Sequence, residues 1–341
     1  MGGRTSKPLE PPRADTFGFA TCGWLAAGIM VALMFLAHPA HAQKYPSQPV
    51  RVVVPFAAGG GTDVLARTVA QGLSERWGAP VFVDNRPGAG SSIGTDAVAK
   101  AAPDGYTLLY TSPAYAINPA LYKTLPFAQD DLVPVAIVAA APLVLAIHPS
   151  VPANSIQELI SLLKANPKKY NYATSGNGSI LHMAAVLFCA MADVDVVNIP
   201  YRGAAPAMND VLSGQVAFIF DQVSTAAQLI ASQRLKGLAV TTSKRSALLP
   251  DVPTMSEAGL TGYEAYTWSL VLAPRGTPKH IINQLATDMR AVVQTPEMKK
   301  RFLDLGAEVP DAPPPETINE FVASETRKWG ELIRAANITV N

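Results

Sequence analysis

The chain is 341 residues long, enough for one large or two medium domains, and 49% of it is hydrophobic. Its 27 Lys and Arg face 26 Asp and Glu, a formal net charge of +1. That balance speaks against a nucleic-acid surface or an anionic membrane as partner. There are two cysteines, Cys22 and Cys189.

Residues 1–42 read as a secretory signal peptide. Arg4, Lys7 and Arg13 form a positive leader, residues 19–37 are uncharged and apolar, and Ala40-His41-Ala42 is a small-x-small site before Gln43. Cleavage after Ala42 is expected. The alternative is a retained anchor, since about 18 apolar residues nearly span a bilayer. Without Arg4, Lys7, Arg13, Glu10 and Asp15, the remainder carries 24 basic and 24 acidic residues. Cys189 is then left alone in an apolar run and reads as core packing.

After the leader, residues 50–55 read as a strand leading into a helix over 63–76. Residues 80–85 lead through Arg86-Pro87-Gly88-Ala89-Gly90 into a helix near 93–101. Strands are expected at 107–111, 133–140 and 143–148. Ser155 caps a helix ending near Ala165. A strand at 170–173 enters TSGNGSILHMAAVLF, and 194–199, 216–220 and 235–241 are further strands. LLPDVPTMSEAG (248–259) is a Pro-rich connector. YTWSLVLAPRGTP (266–278) is a strand leading to a Pro-started helix. Residues 315–341 read as one amphipathic helix with Trp329 and Leu332 on its apolar side. Strands alternating with helices predict an α/β fold with parallel sheets, here in two halves.

Each half holds a Gly-rich turn from strand to helix. In AAGGGTD no lysine completes a Walker A loop, and G-x-G-x-x-G/A fails at Val64 counted from Gly59 and at Ile93 counted from Gly88. What remains is a helix N-terminus whose orphan N–H groups and dipole suit an anion, or a turn that is merely tight. Gly59, Gly60 and Gly61 let a ligand touch the backbone, while Thr62 and Asp63 offer caps. Gly60 is expected at φ > 0, so valine there is expected to abolish binding. The second turn, Thr174-Ser175-Gly176-Asn177-Gly178-Ser179, adds hydroxyls. Two such turns across a cleft would grip a molecule from both sides.

Catalytic arrangements are scarce. Ser175 lacks the G-x-S-x-G elbow, and His148, His182 and His280 are far apart with no HExxH or CxxC. His182, one turn into the helix after the second loop, reads as support for that loop rather than as a base. Tyr201-Arg202-Gly203 is either a side-chain clamp or a surface turn. TSPAYAIN (111–118) offers Tyr115 and Ile117 as aromatic and apolar surface.

Seven collinear segments then carry a resemblance: YPSQPVRVVVPFAAGGGTDVLAR, VDNRPGAGSSIGTDAVAKAAPDGYTLL, NPALYKTLPF, YATSGNGSILHMAA, IPYRGAAPAMNDVLSGQVAFIFD, GLAVTTSKRSALLPDVPTMSEAG and APRGTP. The chain resembles the Bug-type, TctC-like periplasmic solute-binding proteins of tripartite tricarboxylate transporters. The resemblance implies a two-domain, type II-like fold, each domain a mainly parallel sheet flanked by helices, joined by two crossing strands. It implies a first domain over 43–144 plus 268–310, a second over 145–267, and a C-terminal helix over 311–341. Phe56, Ala57, Ala58, Gly59, Gly60, Thr62 and Asp63 would hold a carboxylate partly through ordered water. Thr174 (where serine is expected), Ser175, Gly176, Gly178 and Ser179, with His182, would close from the other side. Ser112, Tyr115, Asn118, Tyr201, Arg202 and Asp221 complete the expected lining. The implied function is periplasmic capture of a dicarboxylate or aromatic acid by a monomer that delivers it to membrane permease subunits. No enzyme activity, cofactor, metal or nucleic acid is implied. The alternatives are a ligand-sensing subunit for a sensor kinase and an exported hydrolase or lyase.

Overall fold

The computed structural model describes residues 1–3, 45–201, 203–310 and 315–338. The leader and cleavage site fall outside them, apart from Met1–Gly3, and so does Arg202. Met1–Tyr45 forms a unit of its own, and Pro46–Asn341 holds the fold described below.

The first sheet half grows from β1 (Val50–Val54), an all-valine strand but for Arg51, buried except at that residue. It pairs in parallel with β2 (Val81–Asn85) and with β3 (Thr107–Thr111). Parallel neighbours need crossovers. These are α1 (Gly61–Trp77) and, after a short turn, α2 (Ser92–Ala99). Along α1 the residues Leu65, Ala66, Val69, Ala70 and Leu73 are buried at helical spacing. Gly72 lets the helix lie close to its neighbours: a Cβ there would come within 2.5 Å of Val292 and 2.6 Å of Met298. α3 (Ala114–Leu121) follows β3.

The two strands expected at 133–140 and 143–148 are one, β4 (Leu132–Ile147). Pro142, between the two expected strands, donates no ladder bond. In the structure it still sits opposite Tyr266, and the change of partner comes one residue later. Up to Pro142, β4 runs antiparallel to β9 (Tyr266–Pro274), which itself pairs with β3. From Leu143 onward it runs antiparallel to β7 (Phe218–Gln222) and, from Val144, to β8 (Lys236–Val240). β7 continues in parallel to β5 (Asn171–Thr174), and β5 to β6 (Val197–Pro200). The strand order is β2-β1-β3-β9-β4-β7-β5-β6, with β8 on β4. One strand thus serves both halves.

The helices of the second half are α4 (Ile156–Ala165), α5 (Ile180–Ala192), α6 (Ala204–Leu212) and α7 (Val223–Ala231). Ser155 caps α4 by accepting from Glu158 N, as its sequence position predicts. On α5, Phe188 lies edge-on to Phe218 at 6.2 Å and tilted against Phe220 at 6.0 Å. Burying each such ring contributes about 1.5–3 kcal/mol. α8 (Lys279–Val293) and α9 (Pro296–Asp304) return to the first half, where Asp288 accepts from Arg76 Nε and Trp77 Nε1. α10 (Pro315–Ala335) buries Ile318, Val322, Trp329, Leu332 and Ile333 and packs on α3, β4 and α5, touching both halves.

Candidate ligand-binding cleft

Loop 1 spans residues 55–60, between β1 and α1, and from Ala57 to Gly60 it is exposed. Gly60 occupies the cap position of α1 and has no side chain to cap with. The first helical bond runs from Val64 N to Gly60 O at 3.0 Å. The amides of Gly61, Thr62 and Asp63 precede it and have no acceptor among the described residues. The positive-φ residue of this turn is Gly59, at +84°; Gly60 is extended, with φ −75°. A Cβ on Gly60 would meet only Ala57 O, at 3.6 Å. The expectation of φ > 0 at Gly60 is therefore corrected, because the left-handed kink falls one residue earlier.

Asp63 lies beneath the loop, 2% exposed. Its Oδ2 accepts from Gly59 N at 2.8 Å and Arg67 Nε at 3.0 Å, and its Oδ1 accepts from Asn85 Nδ2 at 2.9 Å. Asn85 Nδ2 also reaches Phe56 O at 3.1 Å, and Asn85 Oδ1 accepts from Arg67 Nη2 at 2.9 Å. Burial pulls the Asp63 carboxyl upward, but these hydrogen bonds outweigh it and hold the group below its ordinary value. Asp63 thus shapes loop 1 from below. Asn85 and Arg67 were not singled out in the sequence; the one signal was a polar residue ending a parallel strand beside a Gly-rich turn.

Loop 2, residues 174–179 between β5 and α5, is internally bonded. Ser179 caps α5 by accepting from His182 N, and His182 Nδ1 accepts from Gly178 N at 3.1 Å. That bond places the imidazole proton on Nε2. The ring is 4% exposed, and burial lowers its pKa to about 4, so it is neutral at pH 7. Fully buried Thr174 donates to Asn198 Oδ1 at 3.1 Å, and Asn198 Nδ2 donates to Asn177 Oδ1 at 3.0 Å. Ser175 and Gly176 are half-buried, and the Ser175 hydroxyl has no partner among the described residues.

The two halves meet beside these loops. Gly178, at φ +78°, packs on Leu121 of α3 so closely that a Cβ would overlap it. A Cβ on Gly61 would stand 3.5 Å from Gln222 Oε1 and 3.7 Å from its Nε2. Asp221, one residue before Gln222, is 3% exposed, and burial raises its pKa to about 6 despite the hydrogen bond it accepts from Gln222 N at 2.8 Å.

The stretch 111–118 differs from the aromatic wall expected of it. Tyr115 and Ile117 turn into the core as part of α3, 2% and 0% exposed. The Tyr115 hydroxyl donates to Gln129 O at 2.9 Å, and its ring stacks on Phe127. Asn118 is buried too and donates to Gly90 O at 2.6 Å and Ser91 Oγ at 3.2 Å, fixing the turn before α2. Ser112 remains half-buried at the end of β3. The Tyr201 hydroxyl is held by Asp210 Oδ2 at 2.6 Å. Among the described basic residues near the loops, Arg86 is paired with Asp84 at 2.8 Å and Arg67 with Asp63.

A cavity of about 780 Å³ lies elsewhere, along α5 between α4 and the end of α10. His182, Val186 and Cys189 line it. Burial and Asp195 push the Cys189 thiol up to about 12, which leaves it unreactive at neutral pH. No residue of loop 1 reaches this cavity.

Residues 65–338 match the family described as "Tripartite tricarboxylate transporter family receptor". Three solved structures share the fold. An R. palustris protein with adipate is 34% identical, with a TM-score of 0.77 over 87% of this chain and 100% of that one. The periplasmic binding protein BugD is 37% identical, with a TM-score of 0.74 over 87% and 100%. MatC from Rhodopseudomonas palustris with bound malate is 32% identical, with a TM-score of 0.73 over 85% and 100%.

Proposed function

The chain belongs to the tripartite tricarboxylate transporter receptor family, and from that premise we propose that it captures a small organic acid, a dicarboxylate or aromatic carboxylate, between loops 1 and 2. The two halves close on it about the β4–β9 pair, and the closed form is presented to membrane permease subunits in the periplasm. The family is one of receptors, and the similar R. palustris structures hold adipate and malate, short acids with a carboxylate at each end.

One observation carries the reading. α1 begins exposed and uncapped, with three amides that have no acceptor among the described residues, while the nearby arginines Arg67 and Arg86 are paired with carboxylates. A carboxylate at that terminus gains hydrogen bonds and about 0.3–2 kcal/mol from the helix dipole. Loop 2 supplies Ser175 and a firm surface opposite. Closure follows from ligand contacts made only in the closed state, so affinity depends on the open–closed equilibrium. The partner change of β4 at Leu143 supports domain limits of 43–144 plus 268–310 and 145–267.

The test is a thermal-shift screen of mono-, di- and tricarboxylates and aromatic acids, followed by calorimetry. A ligand at 100 times its dissociation constant adds about 2.7 kcal/mol. The monoamide of the best acid is expected to bind about ten- to a hundredfold more weakly, because its NH₂ would face N–H donors. Equal affinity of acid and amide would overturn the anion site.

A further inference from the structure

We infer that Gln222 is the residue by which the second sheet half reads the occupant of loop 1. The inference rests on the carboxylate reading above and assigns that site a specificity residue from the opposite half. Gln222 ends β7 and precedes α7, so the β-sheet fixes its backbone. Its carboxamide reaches across to the first turn of α1, within 3.5–3.7 Å of the position a Cβ on Gly61 would take. The side chain is half-buried and makes no hydrogen bond to the described residues. It therefore stands, unpaired, against a helix terminus whose amides are also unpaired.

A carboxamide suits this position because it both accepts and donates. With no anion bound, as here, Oε1 stands beside the first turn of α1 without bonding to its amides. When a carboxylate takes those amides, rotation about the last torsion presents Nε2, which donates to the carboxylate from the other half. The side chain thus favours contact between the halves once the ligand is bound, and binding gives the α1 amides the acceptor they lack among the described residues. Glutamate at this position can only accept when ionised. It would occupy the amides with its own charge and repel an incoming carboxylate. Alanine would remove the donor and leave the amides free.

The experiment is calorimetry with adipate and malate on wild type, Gln222→Ala and Gln222→Glu, together with melting of the unliganded proteins. At pH 7, Gln222→Ala is expected to bind about two- to tenfold more weakly, the loss of one hydrogen bond. Gln222→Glu is expected to lose more than about tenfold, and to melt no lower than wild type when unliganded, since a carboxylate at a helix N-terminus is stabilising. Its deficit relative to wild type is expected to narrow at pH 4.5, where a protonated glutamic acid again offers a donor; the ratio cancels the titration of the ligand itself. Wild-type affinity in Gln222→Glu, an equal deficit at both pH values, or a lower unliganded melting temperature would each overturn the role of Gln222. If wild type binds no carboxylate in the wider panel, the functional reading fails with it. If wild type binds and the variants match it, only the assignment of Gln222 fails.

Discussion

Loops 1 and 2 occupy equivalent places, each after a parallel strand and before a helix, and each rich in glycine. They differ in what they do with their backbone amides. Loop 2 engages several within itself: Ser179 takes the amide of His182, His182 takes that of Gly178, and Gly176 O takes that of Ser179. Loop 1 fixes its kink with a single internal acceptor, Asp63, and leaves the first turn of its helix open. The contrast teaches that a Gly-rich strand-to-helix turn is an anion site only where no neighbouring side chain has taken its N–H groups. On the proposed function, loop 1 is the receptor surface and loop 2 largely a preassembled wall.

The strongest way to break this contrast is to unseat the wall. Gly178→Ala puts a side chain at φ +78° and into Leu121. Backbone strain and overpacking each cost about 1–3 kcal/mol, so a loss near 3 kcal/mol or more is expected in urea denaturation. A change below about 1 kcal/mol would mean that loop 2 is not tightly seated on α3.

Acid should loosen loop 2 in its turn. His182 has its folded pKa lowered to about 4 from an ordinary 6.5, so the unfolded chain binds the extra proton first as pH falls. Its contribution is fully present above about 6.5 and is lost as pH falls towards 4, by about 3 kcal/mol in all. Asp221 has the opposite sign, with its pKa raised to about 6, so it favours the folded state as pH falls from about 6 to 4. The His182 term must therefore be read as wild type minus His182→Gln between pH 7 and 4; a flat difference would refute it.

The two smallest effects sharpen the comparison because they are mirror images. Ser179→Ala removes a cap and is expected to cost about 1 kcal/mol. It should leave carboxylate affinity unchanged apart from that cost. Gly60→Ser adds a cap where φ −75° and ψ 162° already suit one. It is expected to gain a few tenths of a kcal/mol in stability while weakening carboxylate binding, since the new hydroxyl takes an amide the ligand needs. If both variants bind as wild type does, loop 1 is not distinguished by its open amides.

Much of the fold was legible because its signals are local. Apolar, β-branched runs marked strands such as β1 and β2, Ser155 marked α4, and the spacing around Trp329 marked α10. Helices α3, α6, α7 and α9 were not anticipated. Pro119 inside α3 argued against a helix, yet tertiary packing of Tyr115, Ile117 and Leu121 overrides it. α9 could have been found, since Thr295 caps it and Pro296 begins it. In the site, the glycines of loop 1 were legible but the residue carrying positive φ was not, because φ depends on where Asp63 draws in the Gly59 amide. Asn85 and Gln222 are set by how neighbouring strands bring distant residues together, which local sequence does not encode.

Trp268 of β9 and Trp329 of α10 both donate their indole N–H to Glu325 Oε2, at 3.1 and 3.0 Å. Both rings are buried, and Lys328 Nζ lies 4.3 Å from the centroid of the Trp329 ring. Two adjacent fluorophores therefore share one negative charge, with a positive charge close by, on the strand that pairs with the first part of β4 and on the helix that touches both halves. Excited indoles respond strongly to nearby charge, so a small displacement of β9 against α10 alters their emission. The third described tryptophan, Trp77, is tied to Asp288 at the far end of α1 and serves as an internal reference. The proposed hinge closure on a ligand would thus be readable from the protein's own light, without a label.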